Sequence, residues 1–115
     1  MPVWNTKPVS EQPQITLIQW SVIETELHER HFCGYCIENG EGRVSSAIQT
    51  FDPKTRRGVT RSGRCYALEG PSGMHPDAAY VWSVWAQVNN VKRAVDVSEQ
   101  LLGSNNGKAQ RSQKP

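Results

Sequence analysis

Residues 64–88 read RCYALEGPSGMHPDAAYVWSVWAQV, and the fold class turns on a change of period in the middle of them. As far as Glu69 the pattern is that of a short strand. Gly70-Pro71-Ser72-Gly73 then interrupts it with the residues that most strongly punctuate secondary structure. From Pro76 the apolar positions Ala78, Val81, Trp82, Trp85 and Val88 recur three and four apart, which puts them on one helical face. Pro76 and Asp77 suit a first turn, because the proline lacks an N–H that would go unpaired there and the carboxylate meets the positive helix end. Asn89-Asn90 stops the helix, so residues 77–88 form one amphipathic helix after a run of strands.

Upstream, ITLIQWSVIET at 15–25 is rich in β-branched and aromatic residues, with Ile18, Trp20 and Val22 on one face at period two. An acidic turn, Glu24 to Glu29, leads to a second strand near His31–Ile37. Asn39-Gly40 marks a hairpin into a third strand, Arg43–Phe51. Asp52-Pro53 breaks the pairing. Strands four and five, near Arg57–Arg61 and Arg64–Glu69, join through Ser62-Gly63. Downstream, Val91, Val95 and Val97 at even spacings favour a closing strand, and Ser98–Leu102 offers a short helical turn as the alternative. These elements define an α+β fold: a small curled antiparallel sheet of about five strands, barrel-like in its tendency to close, covered by one amphipathic helix. No internal repeat is present.

The polar, proline-bearing residues 1–13 and the polar residues 103–115 read as disordered arms, which leaves one globular domain over 14–102. Trp4 in the first arm is an unstructured residue or a docking residue. The start MPVWNTKP has no apolar signal region and no run approaches the ~18 residues of a membrane span, so a cytoplasmic, soluble protein is expected. Three cysteines, an odd number, argue for reduced thiols rather than a disulfide framework.

The segment His28-Glu29-Arg30-His31-Phe32-Cys33-Gly34-Tyr35-Cys36 contains HxxH and CxxC spacings that invite a zinc or thiol-redox reading. A strand through 31–37 opposes it, since Cys33 and Cys36 then point to opposite faces. No second pair of ligands is set out as a distant knuckle, and no helix follows Cys36 as a thioredoxin-type site requires. The expectation is no metal and no cofactor. His75, before Pro76, is a helix-entry residue with no nucleophile set beside it.

The net charge of +2 hides an asymmetry. Residues 1–52 carry three basic and seven acidic side chains, and residues 53–115 carry ten basic and four acidic. The stretch TRRGVTRSGR, 55–64, holds four arginines and no acid. With Ser62-Gly63 as a two-residue turn, Arg61 faces Arg64 and Val59 faces Tyr66, placing Arg57, Arg61, Arg64 and Tyr66 on one face. Like charges directly opposed destabilise a ladder unless an anion lies over them. Lys54 and Arg56 extend the patch, and Tyr66 is positioned to stack on a base or an arginine plane. The competing reading is a solvated edge hairpin whose charges deter aggregation.

The run from Gly42 to Trp85, GRVSSAIQTFD followed by TRSGRCYALEGPSG and YVWSVW, resembles small uncharacterised bacterial proteins of phages, plasmids and integrated elements. The resemblance implies a bacterial, cytoplasmic accessory role on a mobile element and assigns no catalytic residue. The sequence therefore points to a non-enzymatic binding module whose basic hairpin contacts nucleic acid or an acidic protein surface. The alternative is an accessory protein that binds another protein, or a second copy of itself, through Tyr80, Trp82, Val84 and Trp85 of the aromatic helix.

Overall fold

The computed structural model describes residues 7–106. Its elements run β1 (Gln14–Thr25), β2 (Arg30–Cys36), β3 (Glu41–Asp52), β4 (Arg57–Thr60), β5 (Cys65–Leu68), α1 (Pro76–Val88), β6 (Ala94–Asp96) and α2 (Ser98–Asn106). The fold is α+β, as expected. Six strands form one sheet in the order β2-β3-β4-β5-β1-β6, and a further β1–β2 pairing joins the first five into a ring. All pairings are antiparallel except β1 with β5, where Gln14 to Leu17 run alongside Cys65 to Leu68.

β1 closes the ring because it bends. Its register against β2 shifts between Ile18 and Ser21, and Gln19 takes φ 45° there. One extra residue in a strand turns the side chains beyond it to the other face. Ile15 and Leu17 therefore point inward before the bulge and Trp20 and Val22 after it, all four buried completely. The pattern Ile18–Trp20–Val22 holds from Trp20 onward, and Ile18 is only half-buried. With Phe32, Cys36, Tyr66, Leu68 and Val97 these side chains fill the ring. Each large apolar side chain so buried contributes roughly 1.5–3 kcal/mol.

A second, smaller cluster lies outside the ring, where Ile23, Cys33 and Ala78 pack with Val44 and Trp82. This is the contact that seats α1. His75 caps the helix as a helix-entry residue should, its Nδ1 accepting from the Asp77 amide at 3.0 Å, and its ring stacks on Tyr35 at 4.3 Å. Gly42 lets the first turn come close. A Cβ there would stand 2.3 Å from the Asp77 carbonyl oxygen and 2.6 Å from the Ala78 nitrogen. Val88, grouped with the core face by its spacing, is exposed at the end of the helix.

The chain after α1 forms both of the elements that its pattern allows. β6 pairs with the end of β1, and Ser98 opens α2. Residues 7–13 lie against the ring: the Cys65 amide donates to the Pro13 carbonyl at 2.9 Å, and Gln12 and Asn39 exchange side-chain hydrogen bonds. Trp4 and residues 107–115 lie outside the described residues. No helix among those described is long and apolar enough to cross a membrane.

Candidate anion-binding site

The β4–β5 connection decides where the arginines point. Val59 pairs with Cys65 and Gly58 with Tyr66, and the Thr60 amide donates to the Arg64 carbonyl at 3.1 Å. The loop is thus three residues, Arg61-Ser62-Gly63, with Gly63 at φ 91°. A glycine at positive φ in the last position is the usual way to close a three-residue hairpin loop. This register is one residue away from that of a two-residue Ser62-Gly63 turn, and it splits the expected patch.

Arg57, Val59 and Arg61 face outward, alternating with buried Gly58 and Thr60. Arg64 and Tyr66 face inward and are buried. Arg61 does not oppose Arg64. Arg57 and Arg61 are four residues apart on one strand face, about 13 Å at ~3.3 Å per residue, beyond the ~8–10 Å screening length of physiological salt. The cross-strand repulsion expected from the two-residue turn is therefore absent. Tyr66 packs on Phe32 with ring centroids 5.4 Å apart and presents no face to a base. Arg56, at φ 59°, turns away from the patch, donating to the Gly70 carbonyl at 2.7 Å and lying 5.2 Å over the Trp20 ring. Lys54 remains exposed in the loop before β4.

Arg64 has a structural task. Its Nε donates to the Gln12 carbonyl at 2.9 Å and its Nη2 to the Lys7 carbonyl, which clamps the N-terminal segment to the ring. Arg61 reaches the other way and pairs with Glu29 at 2.6 Å, both partners well exposed.

Beside this hairpin the ring has a gap. β3 pairs with β2 from Glu41 to Ala47, but its pairing with β4 begins only at Ile48. The turn lies across the unpaired edge, with the Arg61 amide donating to the Ala47 carbonyl at 2.7 Å and the Ser62 amide to Ser46 Oγ at 3.2 Å. A cavity of about 420 Å³ opens there, lined by His31, Arg43, Ser46, Arg61, Arg64 and Trp85 among others. On β3, Gly42 and Val44 face α1, and Arg43 and Ser45 take the opposite side. Arg43 is consequently 2% exposed.

His31 sits at the cavity wall, 3% exposed, with its ring 4.6 Å from that of Trp85. Its Nδ1 lies 2.9 Å from the Ser45 carbonyl, which can only accept, so Nδ1 carries the proton. Burial holds its pKa below the ordinary value, against the opposing pull of that carbonyl and of Glu29. Trp82 and Trp85 stack on one another at 5.3 Å, both half-buried, while Tyr80 is exposed and Val84 half-buried.

Cys33 and Cys36 do point to opposite faces. Cys33 lies beneath α1 and Cys36 inside the ring. Burial pushes the Cys33 thiol up to about 12 and raises that of Cys36 as well. Neither is the low-pKa thiolate on which thiol exchange relies.

Two residues of the cavity wall, Arg43 and His31, carry no such role in the sequence pattern. Arg43 sits among Gly42, Val44, Ser45 and Ser46, where alternation reads it as a solvated outer position. Only closure of the ring turns that face inward. No protein-family model, no curated protein and no solved structure matches this chain.

Proposed function

We propose that this protein is a non-enzymatic binding module whose β4–β5 hairpin contacts an anionic partner, nucleic acid before an acidic protein surface. One observation carries the reading. Lys54, Arg57 and Arg61 all project outward from a segment, Pro53 to Leu68, that contains no acid, and only Arg61 has a carboxylate within ion-pair distance among the described residues. Cations spaced from the loop before β4, along β4 and into its turn suit a repeating phosphate backbone, which supplies charge at intervals without requiring a fixed geometry. The resemblance of residues 42–85 to small bacterial mobile-element proteins is compatible with such an accessory role in the bacterial cytoplasm.

The test is binding of the full chain to a short single-stranded oligonucleotide, followed by fluorescence anisotropy over a range of salt. Affinity is expected to fall steeply with salt. Changing Lys54, Arg57 and Arg61 together to Gln should weaken binding across sequences and flatten the slope of log K against log salt by about two units, at ~0.7 per phosphate neutralised on a single strand. Absence of binding at low salt, or an unchanged triple variant, sinks the reading. Exposed Tyr80 and Val88 on α1 then become the first candidates for a protein contact.

A further inference from the structure

Arg43 is a buried cation whose Nη1 has no hydrogen-bond partner, and no carboxylate lies within ion-pair distance of it among the described residues. A guanidinium stays charged at any accessible pH, and taking it out of water is costly unless charge or hydrogen bonds compensate. Arg64 shows how the fold satisfies such a group when its role is structural, through two main-chain carbonyls. Arg43 has no such arrangement. The charge of Arg43 draws Cys36 toward ionisation, but burial outweighs it and the thiol stays neutral. Glu38 is engaged by the amide and hydroxyl of Thr16, both at 2.8 Å.

Arg43 is one of the residues that line the cavity between β3 and the β4–β5 turn. Arg61 and Ser46 line the same space, and Ser46 Oγ, which accepts from the Ser62 amide, keeps its proton to donate. Trp85 provides an apolar wall. Glu29 is the one carboxylate on the lining, and it holds Arg61 through an exposed pair of the kind that exchanges at little cost. The volume, about 420 Å³, falls in the range of small-ligand sites.

We propose that this cavity binds a phosphate monoester, the phosphate meeting Arg43 and the attached organic group lying against Trp85. Phosphate fits better than carboxylate because donors come from three separate residues, Arg43, Arg61 and Ser46, and phosphate offers three terminal oxygens where carboxylate offers two in one plane. The site lies inside the ring gap and is independent of the outward contact through Lys54 and Arg57. The same chemistry is available from a free mononucleotide or from the 5′-phosphate end of a nucleic acid chain.

The full chain, ¹⁵N-labelled, is titrated with inorganic phosphate, a nucleoside 5′-monophosphate, the matching nucleoside, and one oligonucleotide with and without a 5′-phosphate. The Arg43 guanidinium signal should shift saturably with inorganic phosphate and with the monophosphate, and the Trp85 indole signal with the monophosphate; the nucleoside should move neither. Arg43→Gln should weaken monophosphate binding by roughly tenfold or more, the loss expected for a charge-assisted hydrogen bond, while Arg93→Gln, at an exposed position away from the cavity, leaves it unchanged. Arg43→Met should melt no lower than the parent without phosphate and lose the phosphate-dependent rise in Tm, the opposite of what a structural arginine would show. The unmodified chain keeps the test decisive if either variant fails to fold. A stronger response to the 5′-phosphorylated oligonucleotide names the chain end as the source, and a stronger response to the free monophosphate names a small ester. An Arg43 signal unmoved by every phosphate probe, a nucleoside that binds as well as its monophosphate, or an Arg43→Gln variant that binds like the parent overturns the proposal. Loss of oligonucleotide binding on changing Lys54 and Arg57 alone, with Arg61 left in place, bears on the surface contact and not on the cavity.

Discussion

A single buried imidazole makes the stability of this domain depend on pH. Burial lowers the pKa of His31 from its ordinary 6.5, with Arg61 adding to the effect and Glu29 and the Ser45 carbonyl opposing it. The unfolded chain therefore takes up a proton as pH falls through about 6.5, while the native state resists until a lower pH. More protons bound by the unfolded state means that stability declines over that window and is unaffected above it. Thermal melts should fall in Tm between pH 7.5 and pH 5, and His31→Gln should flatten the decline; an equal slope in both proteins would assign it elsewhere. The carboxylates act lower down. Glu24, held by Arg30, and Glu26, held by the Arg93 and Lys92 amides, have pKa values below their ordinary 4.5, so their contribution is present above that value and lost beneath it. At this scale the sequence was legible wherever a residue's task is local. His75 as a helix cap and Cys33 and Cys36 on opposite faces follow from spacing alone. The arginine patch does not, because one residue of register separates Arg57 and Arg61 outside from Arg64 and Tyr66 inside. Gly63 carried the only local sign, as a residue free to take positive φ at the end of a three-residue loop.

Helix α1 was legible as an element and its seating was not. Its apolar period and its Pro76-Asp77 start identify it, and Ala78 and Val81 are its buried residues. What sets its distance from the sheet is Gly42, which in sequence is merely the last residue of a turn-rich stretch. A methyl group at that position would meet main-chain atoms of Asp77 and Ala78 rather than the end of a flexible side chain, so the helix itself must move. Gly42→Ala should destabilise the protein by about 1–3 kcal/mol, the usual cost of overpacking, or roughly 4–8 °C of Tm per kcal/mol in a domain of this size. Gly73→Ala is the matched control, since its added carbon would sit 3.8 Å from Gln19 at ordinary contact distance. Equal melting of the two variants would show that α1 rides loosely on β3. The last segment illustrates the opposite kind of ambiguity. The valines of 91–97 favour a strand and Ser98–Leu102 a helical turn, and these are alternatives only if one element must end the chain, whereas three residues of β6 and the start of α2 fit end to end.

For the molecule as a whole, the α+β class and the strand order of the meander were readable, because each hairpin is a local event. The tendency to close was readable too, but not the pair that closes the ring, since the parallel β1–β5 pairing joins segments about 50 residues apart that share no local signal. The same distance separates the Trp20 indole from the Gly70 carbonyl that accepts its hydrogen bond at 3.1 Å, and Val22 reaches farther still, its buried amide donating to Ser98 Oγ at 2.9 Å across 76 residues. Ser98 is fixed in turn by Asp96, to which its hydroxyl donates at 2.6 Å. Ser98→Ala should leave the Val22 amide buried without a partner and cost about 1–3 kcal/mol, measured by denaturant titration with an unchanged m-value. A shift under ~0.5 kcal/mol would mean that the amide finds another acceptor. The bent course of β1 also has a bearing on synthesis. β1 leaves the ribosome before the other strands, yet its edges and its core face are completed by β2, then β5, then β6 and finally Ser98. Successive parts of the chain can shelter it only as they emerge, and its most apolar stretch, Ile15 to Ile23, stays a ready partner for other nascent chains until nearly the last of the described residues has been made.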